Sequence, residues 1–198
     1  MQRTRVTYEQ NSALPNLSQP QAAWRRFTGR DTRMHKVMAV SVICAALATT
    51  AQAATLELHG IGNSRDVTCK GQDVSITGAD NHFRLSGDCG RVEVHGSKHV
   101  VSLDNAAGLE VTGAGNEIQA GRLGGLDVDG ADHRITAQVQ GDGQQPAQVV
   151  LYGASNVLTL ELQGPVQLEV NGISQQVTWQ GDDPDVETSG IDHRLQRQ

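Results

Sequence analysis

Three carboxylates, Glu93, Glu110 and Asp127, follow one another at intervals of 17 residues, and Asp129 stands two positions beyond the last. If the chain completes one circuit in that interval, the three lie side by side on one face. Like charges opposite one another on neighbouring strands repel. Water and salt, flanking cations or a bound divalent ion would each offset that repulsion. A ligand set made only of oxygen suits a hard ion such as Ca2+, so Glu93, Glu110, Asp127 and Asp129 are the candidate metal ligands. Paired carboxylates also supply the acid and base of glycoside chemistry. The plainest reading is a solvated acidic face that keeps the protein soluble and discourages sheet-on-sheet association.

A second set recurs at nearly the same interval: Asn63, Asn81, His99, Asn116, His133 and Asn156, continued by Gln175 and His193. Histidines in such a set suggest a metal site. The spacing argues against it, because Asn116 separates His99 from His133. An amide or imidazole at each circuit instead suits a ladder that satisfies backbone groups at a corner, as stacked Asn and Gln do in cross-β assemblies. No Ser-His-Asp, Cys-His or metal-ligand cluster accompanies either set.

The elements that must position these residues are read from a glycine that returns at Gly60, Gly78, Gly96, Gly113, Gly130, Gly153, Gly172 and Gly190. Four and two residues before each glycine, and five and seven after it, stand residues that are apolar at 29 of 32 positions. The exceptions, Arg65, Thr188 and Arg197, fall in the first and last units, where a stack is open to water. Period-two alternation marks a strand with one buried face. A fixed period near 18 residues marks a repeat whose units bury their apolar faces by stacking. The expected fold is all-β: a parallel β-helix, or β-solenoid, of about eight coils of 17–19 residues, each of two strands and two corners. One interval is longer, and its excess, residues 138–148 (QVQGDGQQPAQ), reads as a polar loop.

Residues 34–53 (MHKVMAVSVICAALATTAQA) read as a helical secretory signal: a basic start, an apolar run and a small-x-small cleavage site. The apolar run is shorter than the ~20 residues that a membrane span needs. Residues 1–33 are polar and Arg-rich, and read as a disordered leader or as sequence upstream of a true start at Met34. The mature domain is then 54–198, periplasmic or secreted, with no membrane span after cleavage. Counted from Ala54, 20 Asp and Glu stand against 9 Lys and Arg, a net charge of −11. Such a surface repels nucleic acid and anionic lipid. Cys69 and Cys89 fall in the return corners of adjacent coils, within disulfide reach. An oxidising compartment permits the bond, and two thiols without a nearby ligand pair do not make a zinc site.

The phrases VSITGADNHFRL, VEVHGSKHVVSL and VTGAGNEI, with LSGDC in their midst, resemble the bacterial exported family catalogued as domain of unknown function 3060. The resemblance covers most of residues 56–180 and implies an exported β-solenoid. It carries over no catalytic residue. Several His stand where Asn would be usual in the ladder.

These readings point to a non-enzymatic envelope or secreted scaffold or binding module, requiring no cofactor, with Ca2+ on the acidic face as an option. Its partner would be an envelope protein or a polysaccharide. The alternative is a polysaccharide-acting β-helix enzyme, a lyase or hydrolase. That needs sugar-stacking aromatics, and the mature aromatics are only Phe83, Tyr152 and Trp179. A partial threonine row, Thr136, Thr159 and Thr178, lacks the second matching column that ice binding would require.

Overall fold

The structure, a computed structural model, describes residues 54–198. The leader and the helical signal lie outside the described residues. Within them every regular element is a strand, fourteen in all, wound into eight coils. The first face is built from β1 (Leu56–Ile61), β3 (Val74–Ala79), β7 (Gly125–Ala131), β9 (Ala147–Ala154), β11 (Val166–Ile173) and β13 (Asp185–Ile191). The second is built from β2 (Ser64–Lys70), β6 (Glu117–Leu123), β8 (Arg134–Gln140), β10 (Val157–Gln163), β12 (Gln176–Gly181) and β14 (Arg194–Arg197). Two longer strands, β4 (His82–Ser97) and β5 (Val100–Ala114), run from the second face of one coil into the first face of the next. All pairing between coils is parallel.

The interior is filled in file. On the first face Ile76, Val94, Val111, Val128, Leu151 and Val170 are paired in succession, each fully buried. On the second, Phe83, Val101, Ile118, Ile135, Leu158 and Val177 do the same. Burying each such side chain contributes about 1.5–3 kcal/mol. No single coil could collect that energy alone, because half of each contact belongs to its neighbour.

A third inward file, Cys89, Ala106, Leu123, Val139 and Leu162, fills the return side. Fixed spacing from the corner glycine does not find it. Register shifts between Leu85 and Asp88 and between Gln119 and Arg122 move the file by one residue each time. The loop is also shorter than its composition suggests. Strands β8 and β9 take up Gln138, Val139, Gln140, Ala147 and Gln148, with Val139 and Ala147 buried, so the excursion narrows to residues 141–146.

The sharp corner follows from two backbone columns. A Cβ on Gly113 would lie 1.9 Å from the Gly96 carbonyl oxygen of the preceding coil, at a φ of +112°. Two residues beyond each corner glycine, the backbone is left-handed in every coil: Gly62, Asp80, Lys98, Gly115, Asp132, Ser155, Ser174 and Asp192 have φ between 54° and 66°. The third residue is then turned inward, and this is the Asn/His position. The end coils are more polar: Arg65 and all of β13 are exposed, and Arg197 turns aside to Asp183 and the Gly181 carbonyl.

Candidate functional site

The first face turns one row of residues outward, between the apolar pair of each strand. The parallel register places Glu93 beside Glu110 and Glu110 beside Asp127. Asp129 occupies the parallel outward row, between Thr112 and Tyr152. The repulsion within the carboxylate file is offset by a cation that stands two residues before Glu93. Arg91 donates through Nη2 to Glu110 Oε2 at 2.8 Å, and its Nε lies 3.7 Å from Glu93 Oε1. The bond to Glu110 is the main cause holding the Arg91 guanidinium above its ordinary pKa. His95 lies 3.6 Å from Glu93 and shares a hydrogen bond of 2.7 Å with Thr112 Oγ1. Each of these pairs is partly exposed, so each contributes no more than about 1 kcal/mol.

Asp127 is exposed and has no cation in contact among the described residues. Partial desolvation on the crowded face, then the charge of Glu110, pushes its carboxyl above the usual carboxylate range, while Arg91 pulls it back and Asp129 adds a smaller upward push. Neither Asp127 nor Asp129 has an ion-pair partner among the described residues. Further along the face Tyr152 Oη donates to Glu169 Oε1 at 3.1 Å, and Asn171 Nδ2 donates to the same oxygen at 2.8 Å. Among the described residues no three His, Cys, Asp or Glu side chains converge as metal ligands would. Beside the face, the excursion at 141–146 forms one wall of an open groove of about 430 Å³, lined by Arg91, Leu109, Asp127, Gln145, Pro146 and Gln148. Sequence reasoning did not find Arg91 or this groove. The signal for Arg91 was present in the residue two before Glu93, which the same register sets beside the carboxylate file.

The Asn/His column lies inside, not on the surface. Asn81, His99, Asn116, His133, Asn156 and Gln175 are at most 1% exposed. Each backbone N–H donates to the side chain one coil further on: Asn63 to Asn81 Oδ1 (2.9 Å), Asn81 to His99 Nδ1 (3.4 Å), His99 to Asn116 Oδ1 (2.9 Å), Asn116 to His133 Nδ1 (3.2 Å) and His133 to Asn156 Oδ1 (2.9 Å). The second polar atom of each side chain turns to corner carbonyls. Asn116 Nδ2 donates to the Gly96 and Thr112 oxygens, and His99 Nε2 donates to the His95 oxygen at 3.3 Å. An Nδ1 that accepts must be unprotonated, so both buried imidazoles are neutral with the proton on Nε2. Burial is the main cause holding the pKa of His99 and of His133 below the ordinary range. His133 Nε2 lies by the Asp129 and Gly113 carbonyls without a well-formed hydrogen bond to either.

Cys69 and Cys89 are joined in a disulfide, both buried, with Cα atoms 4.8 Å apart. The bond ties the first coil to the second. Residues 76–122 match the model of a family described as protein of unknown function (DUF3060). The DUF3060 stretch spans coils two to four and takes in Arg91, Glu93, His99, Glu110 and Asn116, while Asp127, Asp129 and Cys69 fall beyond it. No curated protein and no solved structure matches the chain. Among the described residues no helix is long and apolar enough to cross a membrane.

Proposed function

We propose that the chain is a non-enzymatic β-solenoid working outside the cytoplasm, as an envelope or secreted scaffold and binding module. The observation that carries this reading is the use made of the chain. Coil after coil, inward files build one continuous core, and the outward rows of the first face present mostly polar groups in parallel register, with Val150 the apolar interruption between Asp127 and Glu169. A stack of this kind is stiff along its axis and presents outward side chains at a regular spacing, which suits holding an extended partner. The buried Cys69–Cys89 bond supports an oxidising compartment. The groove beside the 141–146 excursion, with Arg91, Asp127, Gln145 and Gln148 at its rim, offers a polar surface for a polysaccharide or an envelope protein. Ca2+ on the acidic face belongs to the same proposal, with Asp127 and Asp129 as the carboxylates that Arg91 leaves uncontacted.

The test has two arms. Cells expressing the full chain are fractionated, and free thiols are labelled in denaturant without reductant. Recovery outside the cytoplasm with both mature cysteines blocked supports the placement; a cytoplasmic protein with free thiols refutes it. Purified protein is then offered purified cell-wall sacculi and a set of acidic and neutral polysaccharides. Retention without new reducing or unsaturated ends is the expected result. Product release that disappears in Glu110→Gln and Asp127→Asn would replace the scaffold with a polysaccharide lyase or hydrolase.

A further inference from the structure

The corner ladder holds a group that a purely structural ladder does not need. Asparagine serves at Asn81, Asn116 and Asn156, yet His99 takes the same place between two of them. Its ring is fully buried, and both nitrogens are committed. Nδ1 receives the Asn81 amide of the second coil, and Nε2 faces the His95 oxygen of its own coil and the Gly78 oxygen of the second. A proton added at Nδ1 finds no acceptor there. It meets the Asn81 N–H head-on, donor against donor, in a site closed to water.

Little around the ring would stabilise the extra charge. From the second coil, the charged group whose field reaches it is the Asp80 carboxylate. From the fourth coil it is faced by Asn116, which is not ionisable. On its own strand His95 offers only its carbonyl, since its ring is turned outward to Thr112 and Glu93. The adjacent Lys98 side chain is exposed.

We propose that His99 makes the corner between the second and third coils an acid-operated latch: a proton on Nδ1 displaces the Asn81 amide and opens that corner locally. The strand pairing of β3 with β4 persists on the first face, so the opening is confined to the turn at residues 78–82 and its neighbour at 96–100. The proton comes from water and remains on the imidazole, and no bond other than hydrogen bonds is broken.

The expected size follows from linkage. An opened corner exposes an imidazole of ordinary pKa, about 6.5, so acidification from pH 7 to pH 5 favours the open form by up to about 25-fold if the closed form resists protonation throughout. Native-state hydrogen exchange on the full chain, corrected for the intrinsic pH dependence of exchange, reads this at the Asn81 amide. Expected is a rise of about 10- to 25-fold in its opening constant, reached through a partly open form, so that the Asn81 opening constant stays well above that of the Val128 amide in the middle of the stack, which reports global unfolding. His99→Asn keeps an acceptor and removes the titration, and should bring the Asn81 change below threefold. Nitrogen shifts of the wild-type His99 ring provide a check that needs no variant: Nδ1 should be unprotonated at pH 7 and stay unprotonated in the closed majority while Asn81 protection falls, taking up its proton only at the lower pH where that fall levels off. An Asn81 opening constant that does not respond to pH, or one that responds equally in His99→Asn, overturns the latch, as does a ring found with its proton on Nδ1 at pH 7.

Discussion

Replacing Asn116 separates a polar ladder from an apolar core that merely tolerates polar atoms. Asn116 is 1% exposed and makes three kinds of contact. Its Oδ1 receives the His99 amide at 2.9 Å, its Nδ2 reaches the Gly96 and Thr112 oxygens at 3.2 and 3.4 Å, and its own amide donates to His133 Nδ1 at 3.2 Å. Leucine has a similar volume and keeps only the last of these. Asn116→Leu therefore leaves the buried His99 N–H without an acceptor and the Gly96 carbonyl without this donor. Each orphaned buried group costs about 1–3 kcal/mol, and leucine recovers a part of that through its own burial. The expected loss is about 2–5 kcal/mol.

Asn116→His supplies the comparison. Histidine already fills this position in the coils on either side, with an acceptor at Nδ1 and a donor at Nε2. That variant should lose no more than about 1.5 kcal/mol, the usual cost of a tolerated core substitution. Urea unfolding at pH 7.5, with m-values compared to confirm that the transition is unchanged, measures both. In a domain of this size the leucine variant should melt roughly 5–15 °C lower. A leucine variant as stable as the histidine variant, or more stable than wild type, would show that the hydrogen bonds along the corner contribute nothing, and the ladder argument would fail.

Four further outcomes follow from the same geometry. Cys69→Ser with Cys89→Ser removes a bond closing 20 residues of chain and should cost about 3 kcal/mol in the unfolding free energy, equal to the loss that reductant causes in wild type. Lys98→Gly replaces an exposed residue held at a φ of 56° and should raise stability by about 0.5–1 kcal/mol, since relief of left-handed strain exceeds the added chain entropy; a loss instead would mean that the Lys98 stem packs on the corner. Arg91→Gln leaves Glu93 and Glu110 facing each other without their cation, so millimolar Ca2+ should raise its melting temperature by more than it raises that of wild type, and chelator should reverse the gain. His99 and His133 both have folded-state pKa values below the ordinary one, so the unfolded chain binds protons first as pH falls: stability is at its full value above about pH 6.5 and declines below it, by at most about 1.4 kcal/mol per pH unit for each histidine, until the folded protein also takes up the proton. Unfolding measured from pH 7.5 to 5 should show a flatter decline when both are asparagine.

The inward files at fixed distances from the corner glycine were legible because a parallel stack repeats its contacts once per circuit, and Ile76, Val94 and Val111 cannot meet unless the period is kept. The file from Cys89 to Leu162 was not legible by the same rule. Its residues stand eleven, ten, ten, nine and nine positions beyond their glycines, because two register shifts absorb the differences in coil length on the return side. Composition also misplaced the ends of the excursion: Gln138, Gln140 and Gln148 are outward strand residues flanking buried Val139 and Ala147. The left-handed column escaped notice for another reason. Gly, Asp, Lys and Ser all occupy it, and what they share is a backbone angle that no side-chain pattern displays. In the acidic face the file of Glu93, Glu110 and Asp127 could be read from spacing. The compensation was harder to see, because Arg91 is a single residue outside any repeating column, and only the register places it beside Glu110 one coil away.

Why asparagine and histidine exchange so freely along the corner has a simple stereochemical answer. Asn Oδ1 and His Nδ1 both lie two bonds beyond Cβ, so either atom reaches the amide of the preceding coil without moving the backbone. Asn Nδ2 and His Nε2 then turn back to the carbonyl four residues earlier, as Asn116 does to Thr112, Asn156 to Tyr152 and His99 to His95. The position thus selects a side chain with an acceptor on one side and a donor on the other, a condition that Gln175 also meets, whereas leucine has neither group and the serine hydroxyl, one bond beyond Cβ, is too short to reach both partners. Asparagine satisfies it at every pH. Histidine satisfies it only while neutral, because a second ring proton converts the acceptor into a donor in the one direction where a donor already stands. The two buried histidines, His99 and His133, therefore make the hydrogen bond to the preceding coil conditional on pH, without altering the fold that holds them.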